Sequence, residues 1–341
     1  MTKTRKYKQM KLIDNFNRVH DYLRISLTDK CNLNCIYCNP DHHIHFGFNK
    51  DQILSYEEIL KIIRIFAGSL QFKKIRFTGG EPLVRKGVFD LFEKVKKIKD
   101  EFDIQFGITT NGTLLKGNAL RLKNSGIEKL NISLDSLQRE KFLKITGRDN
   151  LQDVLDAISE SEAAGFNPVK INVVVIRNIN DNEILDFVEF VKDRNLNIRF
   201  IEFMPFGNNQ WQRDGFISYK EMKDIIESEY ILNPLYSDVS DVAKDFSISG
   251  FKGKVSFVTS MSEHFCNTCS RLRISADGKM RVCLFSTGKE EINFKTLLRN
   301  NYSETEIIEL VHSAIKHKWE KHPEPEELAK LEQNNMLTIG G

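Results

Sequence analysis

Six short apolar stretches, YLRISLT, KKIRFTG, IQFGITT, KLNISLD, VKINVVVI and IRFIEFM, alternate with amphipathic segments. Each is rich in Ile, Val, Leu or Phe and is bounded by polar or glycine-containing turns, as a buried strand is. The segments between them repeat apolar residues at helical spacing: SYEEILKIIRIFAGSL, GVFDLFEKVKKIKDEF, LLKGNALRLKNSG, NLQDVLDAISESEAAG and DNEILDFVEFVKDRN. Ser55 with Glu58, and Ser218 with Glu221 in SYKEMKDIIESEY, are capping-box pairs that mark helix starts. Strands separated by helices at roughly 30–40-residue spacing make parallel βαβ units. Six units over about 200 residues fall short of the eight over about 250 that a closed barrel takes. The expected fold is therefore α/β, a partial (β/α)6 TIM-like barrel, with a doubly wound open sheet as the runner-up. In both, sites form just after the strands.

After Tyr230 the pattern changes. FSISGFKGKVSFVTS reads as β-rich, a cysteine-bearing segment follows it, and ETEIIELVHSAIKHKWEKHPEPEELAKLEQ reads as helical. The expected division is residues 1–230 for the partial barrel with an N-terminal extension, and 231–341 for a C-terminal region packed against it. A chain of 341 residues exceeds one simple domain. The net charge of +3 gives no global case for nucleic-acid binding, so any basic site is local. No run of about 18 apolar residues predicts a membrane span. The basic N-terminus lacks the apolar core of a signal peptide. The expected compartment is the cytoplasm, where clustered cysteines serve metals or catalysis more often than disulfides.

The six cysteines fall into two sets of three. Cys31, Cys35 and Cys38 stand in CNLNCIYC directly after the first strand. Cys266, Cys269 and Cys283 frame FCNTCSRLRISADGKMRVC. Three thiolates can hold three corners of a cubane cluster and leave the fourth iron open to a small molecule. Zinc is the rival reading: His42, His43 or His45 could complete the first set and His264 the second. Buried free cysteines are a third.

The arrangement C-x3-C-x-aromatic-C, with Tyr37 as the aromatic and TGGEP after the second strand, resembles the radical S-adenosylmethionine (SAM) superfamily. Over nearly the whole chain the sequence resembles one of its families, the GTP 3',8-cyclases of molybdenum cofactor biosynthesis. DYLRISLTDKCNLNCIYC, RFTGGEPLVRKG, TTNGTLL, NISLDSL, ITG, RFIEFMPFG, FCNTCSRLRIS, DGKMRVCLF and the final Gly340–Gly341 carry that resemblance. Asn39–Pro40 and Ser270 depart from it locally.

The resemblance implies two [4Fe–4S] clusters and SAM as cofactors. Cys31, Cys35 and Cys38 would hold the first cluster, and Cys266, Cys269 and Cys283 the second. A deoxyadenosyl radical would take hydrogen from C3′ of GTP, and the ribose carbon would close onto C8. The open iron of the second cluster would hold the guanine. Tyr37, Gly80, Ser133 and Met204 would contact SAM. Arg24, Arg76, Thr109, Lys170, Arg271, Leu272 and Arg273 would contact GTP, with Arg271, Arg273, Gly340 and Gly341 in the catalytic machinery. Plainer readings stand beside these: solvated surface charge for the cations, core filling for Met204, a turn hydrogen bond for Ser133, a disordered end for TIGG. Implied partners are GTP, a reduced donor such as flavodoxin or ferredoxin, and a downstream cyclic pyranopterin monophosphate synthase, with no nucleic acid and no membrane. The sequence leaves the oligomeric state open, a homodimer included. Another radical SAM maturase with an auxiliary cluster is the alternative enzyme. A zinc-dependent nucleic-acid-binding protein is the alternative from another class.

Overall fold

A computed structural model describes residues 11–39, 47–206, 209, 211–236, 241–286, 292–331 and 336–340. His42, His43, His45, Pro40 and Gly341 lie outside the described residues.

Six strands follow one another in sequence order across a parallel sheet: β1 (Tyr22–Ser26), β2 (Lys74–Thr78), β3 (Gln105–Thr110), β4 (Lys129–Ser133), β5 (Val169–Val175) and β6 (Leu196–Glu202). These are the six apolar stretches of the sequence. Most of their Leu, Ile, Val and Phe side chains pack into one main core, while Val174 and Ile201 face the cavity. The crossovers carry helices α1 (Tyr56–Arg64), α2 (Val88–Glu101), α3 (Ala119–Asn124), α4 (Arg139–Thr146), α5 (Leu151–Ala163) and α6 (Ile184–Phe190), and α7 (Tyr219–Glu227) follows β6. Both expected capping boxes form, Ser55 with Glu58 at α1 and Ser218 with Glu221 at α7.

The helical patterns are shortened where local chemistry intervenes. LLKGNALRLKNSG becomes helical only at Ala119, because Gly117 takes a positive φ of 73° that breaks the preceding turns. The end of the first helical pattern, Ile65–Ser69, widens into a π turn.

The C-terminal strands join the same sheet at both edges. β7 (Leu232–Pro234), β8 (Ala243–Ile248) and β9 (Lys254–Val258) extend it beyond β6, with β9 parallel to β6. β10 (Arg271–Ile274) runs parallel to β1 on the opposite edge, followed by antiparallel β11 (Lys279–Arg281) and β12 (Ile292–Asn293). Residues 259–270 therefore travel from one parallel edge to the other, and they carry Cys266 and Cys269. Helices α8 (Phe294–Arg299), α9 (Glu304–Ile315), α10 (Pro325–Leu328) and α11 (Met336–Ile339) complete the chain. A second apolar cluster, with Phe206, Phe285, Leu328 and Ile339, anchors α11.

Candidate active site

The loop after β1 carries the first triad. Its backbone docks on the end of α4, with Asn34 N donating to Thr146 O (2.8 Å) and Ile36 N to Ile145 O (3.0 Å). Gly147 follows with φ 70°, and a Cβ there would lie 3.3 Å from Asn34 Cβ. The ITG segment is thus the seat of the cysteine loop. The glycines after β2 cross the same loop: Gly80 N donates to Thr28 O (2.7 Å), and a Cβ on Gly80 would stand 2.4 Å from Lys30 O. The steric demand for glycine at that position is this chain crossing, which no side chain could survive. Glu81 then locks the crossing, accepting from Asn111 N (2.6 Å), Thr110 Oγ1 (2.8 Å) and Leu83 N (2.9 Å). Its burial raises its pKa to about 7 against those donors.

The second triad lies at the other end of the strands. Cys266–Thr268 forms a tight turn, and Ser270 O accepts from Tyr22 N where β10 meets the start of β1. Cys283 follows β11, which returns antiparallel to that same end. The first triad follows the C-terminal end of β1, so a five-residue strand of about 16 Å separates the two ends. All six cysteines nevertheless line one cavity of about 510 Å3. None is in a disulfide.

Between the triads lies a row of cations. Register places Arg273 beside Arg24 and Arg24 beside Arg76. Gly107, opposite Arg76, makes room for it: a Cβ there would be 3.0 Å from the guanidinium. Lys170 on β5 and Arg199 on β6 line the farther wall. Tyr22 receives a hydrogen bond from Arg76 Nε (2.8 Å). Burial would raise its phenol, but Arg76, Arg24 and Arg271 outweigh that and bring it to about 7. Burial and then Arg271 lower Arg273 to about 10. Burial and then Arg199 lower Lys170 to about 8. Buried like charges of this kind are costly unless an anion joins them. Thr109 Oγ1, Asn131 Oδ1, Asn172 Oδ1 and Arg199 Nε are buried with no hydrogen-bond partner among the described residues. These too call for a polar ligand.

Tyr37, Gly80, Ser133, Met204, Arg24, Arg76, Thr109, Lys170, Arg271 and Arg273 all face this cavity. Leu272 differs: its side chain is fully buried in the main core, as alternation along β10 demands, and only its backbone lies between the two arginines. Tyr37 donates to Asp135 (2.6 Å), which also accepts from Val174 N (2.8 Å). Burial raises Asp135 to about 6. Gly340 has entered the cavity side of the sheet. Its carbonyl accepts a hydrogen bond from Arg273, its φ is 78°, and a Cβ would meet Thr78 Oγ1 at 2.4 Å.

Sequence reasoning missed Arg199, Tyr22 and Lys318. Arg199 carried the available signal, a charge inside the apolar strand IRFIEFM, as Lys170 does in VKINVVVI. Lys318, in a charged tail, carried none.

Comparison with known proteins agrees with this geometry. The Radical SAM superfamily model matches residues 25–191, and the Molybdenum Cofactor Synthesis C model matches 196–324. The GTP 3',8-cyclase of Thermodesulfovibrio yellowstonii is 45% identical over 331 residues, covering 96% of this chain and 99% of that protein. The chain belongs to the GTP 3',8-cyclase family. Molybdenum cofactor biosynthesis protein 1 of Dictyostelium discoideum is 44% identical over 96% of this chain, and the chain spans only 52% of that longer relative. Streptococcus suis SuiB bound to S-adenosylmethionine shares the fold, with a TM-score of 0.61 at 15% identity over 89% of this chain and 69% of SuiB. As a radical SAM family, the GTP 3',8-cyclases bring a [4Fe–4S] cluster and SAM. The donor sets fit such clusters: three cavity-facing thiols in each. Burial raises the thiols of the first set, Cys31 to about 11 and Cys35 and Cys38 further. Among the described residues no three His, Cys, Asp or Glu side chains converge on a single-ion position. No helix among the described residues is long and apolar enough to cross a membrane.

Proposed function

We propose that this chain cyclises GTP to (8S)-3',8-cyclo-7,8-dihydroguanosine 5'-triphosphate, the first step of molybdenum cofactor biosynthesis. The observation that carries this is the buried row of cations lying between two cysteine triads in one cavity. A nucleoside triphosphate brings about four negative charges, which Arg and Lys recognise through charge-assisted hydrogen bonds. Arg24, Arg76, Lys170 and Arg273, joined by Arg199, would bind it. Thr109 would supply a neutral contact, and the Leu272 backbone lies between Arg271 and Arg273. Tyr37, Gly80, Ser133 and Met204 would receive SAM beside the first triad.

Cys31, Cys35 and Cys38 would hold one [4Fe–4S] cluster, and Cys266, Cys269 and Cys283 a second. When bound, the clusters and SAM supply the electron and the radical chemistry that removes hydrogen from C3′. The ring closure forms a C3′–C8 bond; the hydrogen atom lost at C3′ leaves in 5′-deoxyadenosine, and N7 gains a proton together with a second electron from the reduced donor, so the product is an isomer of GTP. The protein's part is to orient the ribose, neutralise the phosphates and keep water out. Arg271, Arg273, Gly340 and Gly341 would line the reacting region.

On this reading the parallel strands act as a partial (β/α)6 barrel spanning residues 1–230, and 231–341 supplies the substrate-holding cluster. Reduced flavodoxin or ferredoxin delivers two electrons per turnover, one for SAM cleavage and one for closing the reaction at N7, and a cyclic pyranopterin monophosphate synthase consumes the product in the cytoplasm. A radical SAM maturase acting on a peptide would leave the cation row without a role.

Anaerobic incubation with GTP, SAM and dithionite, followed by chromatography and mass analysis, tests the proposal. It expects a SAM-dependent isomer of GTP. Reductive cleavage of SAM with GTP recovered unchanged would refute it.

A further inference from the structure

Two buried cations that do not line the cavity, Arg18 and Lys318, contact the segment that carries Cys266 and Cys269. Arg18, in the turn between the N-terminal strands Leu12–Ile13 and Val19–His20, is held by Asp14 at 2.6 Å. Its guanidinium donates to Cys266 O (2.7 Å), Trp319 O (2.7 Å) and Glu320 O (2.9 Å). Asn15 Nδ2 donates to Lys316 O (2.8 Å). The segment after α9 is thereby fixed to the hairpin and to the cysteine turn. Lys318 lies in that segment and is only 4% exposed. Its ammonium donates to Arg271 O (2.8 Å), and Cys269 Sγ is 3.6 Å away. A lysine buried this deeply and aimed at a ligand sulfur is poorly explained by packing, because an apolar side chain would fill the same space without the cost of desolvation.

We propose that Lys318 is a positioning residue that sets the reduction potential of the cluster held by Cys266, Cys269 and Cys283, through a hydrogen bond and a fixed positive charge on the Cys269 sulfur. This rests on reading that triad as a cluster site. Hydrogen bonds to ligand sulfurs and nearby charge are levers on cluster potential. Reduction adds an electron, so a fixed cation stabilises the reduced form and raises the potential. Arg18 acts one step further out, on the backbone of Cys266.

The test is anaerobic redox titration of the reconstituted full chain, followed by electron paramagnetic resonance, with iron counted in parallel. Lys318→Met should keep about eight irons. One cluster signal should shift to lower potential, with a tenfold lower ratio of reduced to oxidised cluster at a given potential, or about 59 mV for one electron. The other signal, and SAM cleavage, should stay as in the parent. Lys318→Arg, which keeps charge and donors, should return the shifted signal most of the way. If Lys318→Met sheds the second cluster, Lys318→Gln is titrated instead, and a smaller shift of the same sign is expected. Full iron with both potentials unchanged, in whichever variant retains it, overturns the proposal. Equal shifts of both signals overturn it too. Four irons in the parent chain would instead defeat the two-cluster reading itself, and the proposal with it.

Discussion

Arg273 donates a hydrogen bond to the carbonyl oxygen of Gly340, joining one end of the cation row to the last described residue of the chain. One side chain thus belongs to the proposed anion site and also holds the C-terminal tail. Arg273→Ala should weaken GTP binding by about 10- to 100-fold, the worth of a charge-assisted hydrogen bond of roughly 1.5–3 kcal/mol. SAM binding should hold. Calorimetric titration with each ligand separates the two, and matching losses would point to misfolding.

The tail has a sharper steric requirement. Gly340 combines φ 78° with a Cβ position 2.4 Å from Thr78 Oγ1 and 3.1 Å from Ser26 Cβ. Gly340→Ala should displace the tail, because alanine is strained at this φ and its Cβ would run into the buried side chains of Thr78 and Ser26. GTP cyclisation should fall at least about tenfold, the effect of roughly 1.4 kcal/mol on a barrier. Iron content and SAM binding should not change. Unimpaired turnover of GTP by this variant would show that the tail's place beside Arg273 is irrelevant to the reaction.

The six strands were legible because buried parallel strands must be continuous apolar runs, and charges inside them, Arg24, Arg76 and Lys170, stand out. The triads were legible from spacing. That the two triads lie at opposite ends of the strands was not, because it depends on β10 pairing parallel to β1 directly after Cys266 and Cys269, a pairing with no local signal. Leu272 shows the limit of motif transfer: its neighbours face the cavity while it faces the core. Lys318 and Arg18 were invisible because their partners are about 50 and 250 residues away.

Acid should loosen the N-terminal hairpin. His20 is buried against Asp14 (3.0 Å), and burial, then Lys318, lower its pKa to about 4 from 6.5 despite that carboxylate. The unfolded chain takes up a proton in this window and the folded chain does not. Stability from this group is therefore complete above about pH 6.5 and is lost as pH falls towards 4. The loss is on the order of 3 kcal/mol. Urea unfolding of the metal-free chain across this range should show a downward slope that is reduced in His20→Gln. Equal slopes for both chains would remove His20 from the explanation.

Arg199, on the far wall, tests whether the whole row reads one anion. Arg199→Met should raise the Kd for GTP about tenfold and should affect guanosine far less, because the lost contact is to phosphate. An equal effect on both ligands would place Arg199 against the base or the ribose.

The most direct measurement of the central claim uses GTP deuterated at C3′, incubated anaerobically with the reconstituted chain, SAM and dithionite. The 5′-deoxyadenosine formed should carry the deuterium, in step with conversion of GTP to its cyclised isomer. Unlabelled 5′-deoxyadenosine, with the deuterium retained in unreacted GTP, would contradict the account.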